Sequence, residues 1–372
     1  MKTMLFLGAE AAYLLAFRGP LMKAFQAKGY RIVAVAPVPA AFDTARYAEL
    51  GIDFVPWPMG RAALNPFAEL KSIYLLWQII KRTNPDTMFA HAIKPVIYGL
   101  ILARMLGVRR RTAMIPGLGY AFTEGGGLKR LLVGLVARFG YRVALAQAHM
   151  VIFQNPDDLA ALRLGGVLPA TVPVGLVNGS GVNMTHYAPA PWPPGPPRFL
   201  MVARLLRDKG VREFVDAARI VRVAVPDAQF VLVGGTDPNP AAIRQDEIDG
   251  WLAEGLIEAR GHLADPRAEY AACHVHVLPS YREGTPRSNL EAMAMARAIV
   301  TTDVPGCRET VVDGVNGLLV TVRDPRSLAT AMQALALDLD RARAMGKAGL
   351  KICRQKYELE AVTKATLALI ID

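Results

Sequence analysis

The segment Ser280-Tyr281-Arg282-Glu283-Gly284-Thr285-Pro286-Arg287-Ser288-Asn289-Leu290-Glu291 follows a short apolar run, Val275-His276-Val277-Leu278-Pro279, and leads into a helical one, Leu290 to Met295. The apolar, β-branched run reads as a buried strand. In the turn, Gly284 supplies backbone freedom, Thr285 is the N-cap candidate and Pro286 suits the first helical position. A strand, a tight turn and a helix N-terminus result. The free N–H groups and positive dipole end of such a helix suit a phosphate. Glu283 and Glu291 then flank that phosphate and accept hydrogen bonds from hydroxyls on either side. A nucleotide-sugar has this layout, with sugar hydroxyls, diphosphate and ribose hydroxyls in series.

Two further segments belong with it. Ala203-Arg204-Leu205-Leu206-Arg207-Asp208-Lys209-Gly210 follows the apolar run Phe199–Ala203, which places Arg204 and Lys209 just beyond a strand end. Arg offers a planar fork of donors and Lys a point charge, and both suit a diphosphate leaving group. Val231-Leu232-Val233-Gly234-Gly235 is a strand followed by a glycine turn. With Thr301 to Glu309 and Asp313 to Val320, these segments resemble the donor-site half of the retaining glycosyltransferase family 4.

The resemblance implies a GT-B fold, in which two doubly wound, Rossmann-like parallel-sheet α/β domains face each other across a cleft. Glu283 and Glu291 meet the family's Glu-x7-Glu motif, and Arg204 and Lys209 its diphosphate clamp. Glu283, Arg204 and Lys209 are accordingly the catalytic candidates. The resemblance assigns Glu283 to donor-sugar hydroxyls and Glu291 to the ribose. It assigns Gly284 and Thr285 to the donor turn, and the backbone N–H groups of Ser288, Asn289 and Leu290 to the phosphate. Arg260-Gly261-His262, after a strand end, is the candidate base-binding edge, with Gly261 and His262 as donor-site residues. No Asp-x-Asp motif is evident, so the expectation is a metal-independent site with no cofactor, the UDP-sugar being a substrate.

Two departures from the family pattern stand out. Ala296-Arg297-Ala298 replaces the usual Gly and Pro after the motif helix, which puts its stop in doubt, and Asn183 stands where Asp is usual.

Two domains are also what 372 residues with 52% hydrophobic content allow. Ala188 to Pro197 is too proline-rich for helix or central strand and reads as a stiff linker. The expected domains are an acceptor-binding one (1–187) and a donor-binding one (188–355), with a C-terminal helix (356–372) that the resemblance has crossing back. Strand candidates before the linker are Thr3–Leu7, Arg31–Ala36, Asp53–Val55, Thr87–Ala90, Arg111–Ile115, Met150–Phe153 and Val172–Val174. After it they are Phe199–Ala203, Gln229–Val233, Ile257–Arg260, His274–Pro279, Ala298–Thr302 and Gly317–Val320. Alternation with helical runs predicts a parallel sheet in each half.

Three widely spaced cysteines give neither a disulfide framework nor a zinc site. The N-terminal apolar run is broken by Glu10 and Arg18, so it reads as strand, turn at Gly8 and helix rather than a signal peptide. No stretch reaches the length of a membrane span.

Residues 1–187 hold 20 Lys and Arg against 9 Asp and Glu, and the remainder holds 23 of each, so the whole net charge of +11 lies in the first half. Such a field favours an anionic partner. Leu128–Ala146 reads as an amphipathic helix with Leu128, Leu131, Leu132, Leu135, Phe139 and Val143 on one face and Arg130, Arg138 and Arg142 on another. A basic amphipathic helix lies on an anionic bilayer or packs on a core with a solvated basic face. The charge split favours the membrane surface, and nucleic acid is disfavoured because no aromatic residues interleave with the basic ones.

Phe17 to Leu21, Ile93 to Gly99 and Pro116 to Phe122 resemble a branch of the family that extends sugars on polyprenyl-diphosphate carriers. That implies Arg18, Lys94 and Gly8 as acceptor-side candidates. No histidine stands near Thr112–Gly119, so no general base is assigned.

The expectation is therefore a retaining glycosyltransferase on the cytoplasmic, inner face of a bacterial plasma membrane. It would move an N-acetylhexosamine from a UDP-sugar to a polyprenyl-diphosphate-linked saccharide. A UDP-sugar epimerase or a non-catalytic nucleotide-sugar-binding subunit are the alternatives. A dinucleotide oxidoreductase is disfavoured by the missing Gly-x-Gly-x-x-Gly at Leu7 to Ala12, and a glycosidase by the clamp beside the two carboxylates.

Overall fold

The computed structural model describes residues 1–372 except 41, 61–64, 119–127, 237–238, 240 and 372, and the side chains of 128–133. The chain divides into two compact units, Met1–Ser180 with Glu360–Asp372, and Gly181–Leu359.

Unit 1 alternates strands and helices. Its elements are β1 (Thr3–Leu7), α1 (Ala11–Ala27), β2 (Arg31–Ala36), α2 (Ala45–Ala48), β3 (Asp53–Pro56), α3 (Pro66–Thr83) and β4 (Thr87–His91). They continue with α4 (Ile93–Met105), β5 (Arg110–Ile115), α5 (Leu128–Leu145), β6 (Met150–Phe153), α6 (Pro156–Leu164) and β7 (Val174–Leu176). All seven strands are parallel, in the order β3-β2-β1-β4-β5-β6-β7. Every residue of β1 is buried, the signature of a strand covered on both faces. Leu76, Val96, Leu100, Tyr141 and Leu145 pack α3, α4 and α5 onto one face of the sheet. Leu14, Met22, Phe25 and Ile370 cover the other.

Unit 2 begins its sheet with β8 (Arg198–Val202) and continues through α7 (Val211–Ala224), β9 (Gln229–Val233), α8 (Gln245–Ala253), β10 (Glu258–Ala259) and α9 (Arg267–Ala272). There follow β11 (Val275–Leu278), α10 (Arg287–Ala294), β12 (Ala298–Thr302), β13 (Gly317–Val320), α11 (Pro325–Ala336) and α12 (Leu339–Lys356). Its six strands are also parallel, in the order β10-β9-β8-β11-β12-β13. The last helix, α13 (Leu359–Ile371), returns the chain to unit 1, where Leu369 crosses so close to Gly175 that a Cβ there would lie 2.5 Å from its Cδ1.

The strands fall where the apolar runs put them, with two shifts. β7 starts two residues later than expected, and β10 keeps only Glu258–Ala259. Both lie at sheet edges, where one neighbour rather than two fixes the ends.

Residues 188–197, expected as a stiff linker at the domain boundary, lie within unit 2. The units divide at Ser180–Gly181. The proline-rich stretch is bound to unit 2 by Arg297, which is fully buried. Its Nη2 donates to the carbonyls of Pro191 (2.8 Å) and Ala271 (2.9 Å) and its Nε to Tyr270 O (2.8 Å), while the guanidinium sits 5.7 Å from the Trp192 ring centroid. Proline carbonyls accept hydrogen bonds although proline nitrogens cannot donate, so an arginine is a suitable staple.

Arg297 follows Ala296, whose φ of 61° is left-handed. The motif helix therefore stops as it does with glycine, but with a Cβ in the strained region.

Candidate functional site

In both sheets the strand order reverses at one place, between β1 and β4 in unit 1 and between β8 and β11 in unit 2. Ligands of open parallel sheets bind at such a switch point, beyond the strand C-termini.

In unit 2 this is where Lys209 and Glu283 lie. A 3₁₀ turn, Arg207–Lys209, follows β8, and Gly210 (φ 75°) starts α7. A Cβ on Gly210 would lie 2.2 Å from Pro279 O, so only glycine lets this turn reach the end of β11. Tyr281 N donates to Asp208 O (2.8 Å) and Ser280 Oγ to the same carbonyl (3.1 Å), tying the two loops together. Lys209 Nζ and Glu283 Oε1 then form an ion pair, the side chains being 16% and 15% exposed. The Glu283 backbone is set by its own N–H, which donates to Pro305 O (3.0 Å). It is also set by Gly306 (φ 86°), where a Cβ would lie 2.2 Å from Glu283 O.

Helix α10 begins one residue later than the turn chemistry implied. Pro286 is the N-cap, no side chain caps the helix and its first turn carries no acid. Gly284 has no positive φ; the close approach belongs to Gly306 instead. Thr285 and Gly284 lie in the loop between Glu283 and this cap, both partly buried. Asn289 and Leu290 direct their N–H groups at Pro286 O, at 3.2 and 3.4 Å. The Ser288 N–H has no acceptor among the described residues. Asn289 is fully buried and its Nδ2 donates to Thr310 Oγ1 (2.9 Å). Beneath it His276 is fully buried, and desolvation pushes its pKa down to about 3, so it stays neutral.

Glu291 is 7% exposed. Its Oε1 accepts from Arg287 Nε (2.9 Å) and its Oε2 from Tyr270 OH (3.2 Å). Burial raises its pKa, against the lowering effect of Arg287. Arg287 four residues earlier was legible in the sequence; Tyr270, from another helix, was not. Arg204 is exposed, just beyond β8. Gly261 O accepts from Gly234 N (2.9 Å), and exposed His262 lies beside Gly235, so the glycine turns after β9 and β10 are adjacent.

In unit 1, Gly8 closes β1, and its N–H donates to Val35 O (3.0 Å). Lys94 is held by Glu69 Oε1 (2.6 Å) and Gly60 O (2.6 Å), and Tyr98 OH donates to the other Glu69 oxygen (2.6 Å). Arg18 has no such carboxylate among the described residues. It is 4% exposed and donates through Nη1 to Ser180 Oγ (3.2 Å) and Phe17 O (3.4 Å). Asn183 accepts from Thr185 N (3.0 Å) and His186 N (2.9 Å), a turn for which an amide oxygen serves as well as a carboxylate.

Helix α5 leaves most of the described part of its apolar stripe outside the core. Tyr141, Ala144 and Leu145 form its buried face, whereas Leu135, Val136, Phe139 and Val143 are exposed, Phe139 at 71%. On α3, Phe67, Leu70 and Tyr74 are likewise exposed, Tyr74 stacks on Trp77, and Lys81 lies 5.0 Å from the Trp77 centroid. The expected motif part Gly119 to Phe122, the three glycines 125–127, and the side chains of Leu128, Arg130, Leu131 and Leu132 lie outside the described residues.

Among the described residues no three His, Cys, Asp or Glu side chains converge as a metal site, and no helix is long and apolar enough to cross a membrane.

Residues 196–338 match the family described as glycosyl transferases group 1, and residues 4–155 that described as glycosyl transferase 4-like. The chain is 30% identical over 346 residues to the N,N'-diacetylbacillosaminyl-diphospho-undecaprenol alpha-1,3-N-acetylgalactosaminyltransferase of Campylobacter jejuni, covering 90% of this chain and 89% of that one. It is 26% identical to the UDP-Gal:alpha-D-GlcNAc-diphosphoundecaprenol alpha-1,3-galactosyltransferase of Escherichia coli, over 71% and 70% of the two chains. In fold it resembles sucrose-phosphate synthase from Thermosynechococcus elongatus, with a TM-score of 0.82 at 20% identity, covering 99% and 98%. It also resembles Anabaena HepE solved with UDP and glucose, with a TM-score of 0.77 at 18% identity, covering 99% of each chain.

Proposed function

The chain belongs to the family 4, group 1 glycosyltransferases of the GT-B fold, and on that premise we propose that it moves an N-acetylhexosamine from a UDP-sugar to a saccharide on polyprenyl diphosphate, with retention. The observation that carries the reading is the Lys209–Glu283 pair beside the uncapped start of α10, in a chain similar over nine-tenths of its length to a transferase of that kind.

In the reaction the bond from the anomeric carbon to the β-phosphate oxygen breaks, its electrons leave with UDP, an acceptor hydroxyl oxygen bonds to that carbon, and the hydroxyl proton passes to the departing phosphate oxygen. Lys209, Arg204 and the Ser288 N–H meet the growing phosphate charge without reorganising, which is where fixed donors lower a barrier most. Glu283 orients the donor sugar through its hydroxyls, and its contact with Lys209 ties sugar position to phosphate position. Glu291 receives the ribose hydroxyls while Arg287 and Tyr270 hold it in place. Charge neutralisation by these groups serves in place of a metal ion.

The acceptor and the membrane fall to unit 1. The exposed apolar faces of α5 and α3, with Arg138, Arg142, Lys71, Lys81 and Arg82 exposed on the same helices, favour an anionic bilayer surface. The enzyme would then act peripherally on the cytoplasmic face of a bacterial membrane, in cell-surface glycan assembly.

The test is UDP release from a panel of UDP-sugars, with and without a polyprenyl-diphosphate-linked saccharide. Release with one N-acetylhexosamine donor that requires the lipid-linked acceptor is expected. An isomerised sugar nucleotide without acceptor, or UDP binding with no turnover, overturns the reading.

A further inference from the structure

Tyr281 stands two residues before Glu283 in the motif turn, half-buried, with no part in the bond changes of transfer. Its N–H donates to Asp208 O (2.8 Å), in the turn that carries Lys209. Its hydroxyl donates to Glu213 Oε1 (2.6 Å), in the first turn of α7, the helix that starts just after Lys209. The Arg323 guanidinium lies 4.6 Å from its ring centroid and comes from the loop between β13 and α11. Three segments thus meet on one residue, and two of them flank Lys209.

The contacts are more specific than packing requires. A phenol donating to a carboxylate makes a short, charge-assisted bond. Desolvation and then the bond to Glu213 raise the Tyr281 pKa, so the phenol stays a donor through the neutral range. Glu213 Oε2 is enclosed without a partner among the described residues. The adjacent Arg212 turns its fork to Glu247 instead, at 2.8 and 3.0 Å. Glu213 therefore depends on the Tyr281 hydroxyl more than a solvated carboxylate would. Arg323 has φ 59°, a left-handed backbone seldom adopted by a residue with a Cβ, and this turn delivers its guanidinium to the Tyr281 ring.

Lys209 and Glu283 are 74 residues apart, so the geometry of their pair is set by what ties their two loops together. Tyr281 N and Ser280 Oγ, both on Asp208 O, join loop to loop. The Tyr281 hydroxyl joins the Glu283 loop to a helix that is packed into the unit 2 core through Phe214, Val215 and Val221. We propose that Tyr281 is a positioning residue: anchored on Glu213 and covered by Arg323, it fixes Lys209 and Glu283 relative to each other. That this placement serves glycosyl transfer rests on the proposed function; that Tyr281 holds the loop does not.

Tyr281→Phe keeps the ring beside Arg323 and removes the bond to Glu213. At a temperature where each variant is fully folded by circular dichroism, kcat is expected to fall by about 10-fold or more with KM for the UDP-sugar nearly unchanged, as misplacement of a reacting group does. Glu213→Leu should lose as much, and Glu213→Gln, which keeps an acceptor, less. Tyr281→Phe with Glu213→Leu should lose no more than either alone. The deciding background is Lys209→Ala, where Tyr281→Phe should cost about 2-fold or less, because a residue that acts through the pair has nothing left to position. The full loss repeated in that background, or an unchanged kcat in the single variant, overturns the proposal. Amide exchange tests the loop without substrate. In Tyr281→Phe the N–H groups of residue 281 and of Glu283, bound to Asp208 O and Pro305 O, should exchange about 10-fold faster while those of β8 and β11 do not. Equal exchange at both positions, or a rise across all of unit 2, overturns it as well. Absence of transfer by the parent enzyme would overturn the proposed function, and the exchange comparison would still decide whether Tyr281 holds the loop.

Discussion

Lys209 Nζ and Glu283 Oε1 form an ion pair across 74 residues of sequence, each side chain about five-sixths buried, at the point where the strand order of unit 2 reverses. A pair this enclosed is coupled, so removing one member leaves the other charge unpaired. Lys209→Ala is expected to lower kcat/KM by about 100- to 1,000-fold, the usual effect of deleting one fixed donor to a leaving oxyanion, and Glu283→Gln to lower it as well, by unpairing Lys209 and loosening the donor sugar. UDP release measures it. Wild-type-like release by either variant removes the pair from the mechanism.

Gly306 holds the Glu283 backbone by contact, with a would-be Cβ 2.2 Å from the Glu283 carbonyl oxygen and φ at 86°. Gly306→Ala is expected to displace the Glu283 loop and cost activity as severely as Glu283→Gln, although residue 306 carries no functional group. UDP affinity and melting temperature, measured together, separate loop displacement from general unfolding.

Ala296 and Arg297 make opposite predictions at adjacent positions. Ala296→Gly relieves a left-handed alanine and should stabilise unit 2 by about 1 kcal/mol. Arg297→Met removes the donors to Tyr270, Ala271 and Pro191 and should destabilise by about 2 kcal/mol or more, with faster proteolysis in 188–197. Urea unfolding with limited proteolysis checks both.

Glu291 gives a pH dependence of defined sign. Burial raises its folded pKa above the ordinary 4.5. A raised carboxyl contributes stability that is complete below the unfolded value and is lost as pH rises through the folded one. Glu291→Gln should therefore flatten the decline in melting temperature above pH about 4.5, while raising KM for the UDP-sugar. An unchanged pH profile contradicts the burial argument.

Phe139 and Tyr74 test the membrane surface. Phe139→Ser with Val136→Ser, or Tyr74→Ser with Phe67→Ser, removes exposed apolar area, so melting temperature should hold. Sedimentation with anionic vesicles should fall by about 10-fold or more, since each buried large side chain is worth about 1.5–3 kcal/mol. Binding by the parent should also weaken with salt. Vesicle binding unchanged in both pairs excludes these faces.

Strand positions and the parallel α/β class of both halves were set by the sequence alone, because each rests on local patterns such as the β-branched apolar run Thr3–Leu7 and its alternation with helical runs. The lopsided charge is likewise a property of composition. What only tertiary structure decided is which side chains have partners. The sequence pointed to Arg18 and Lys94 equally, yet Glu69 neutralises Lys94 while Arg18 is buried without a carboxylate among the described residues. It put Leu135, Phe139 and Val143 on one apolar stripe, but the sheet took Tyr141, Ala144 and Leu145 and left that stripe outside. It read 188–197 as a stiff linker at the boundary, and a buried arginine more than a hundred residues away fastened it to unit 2. Helical spacing gives the relative angles of residues on one element. Burial and pairing depend on what the other elements bring against it, and that is settled by packing at long range.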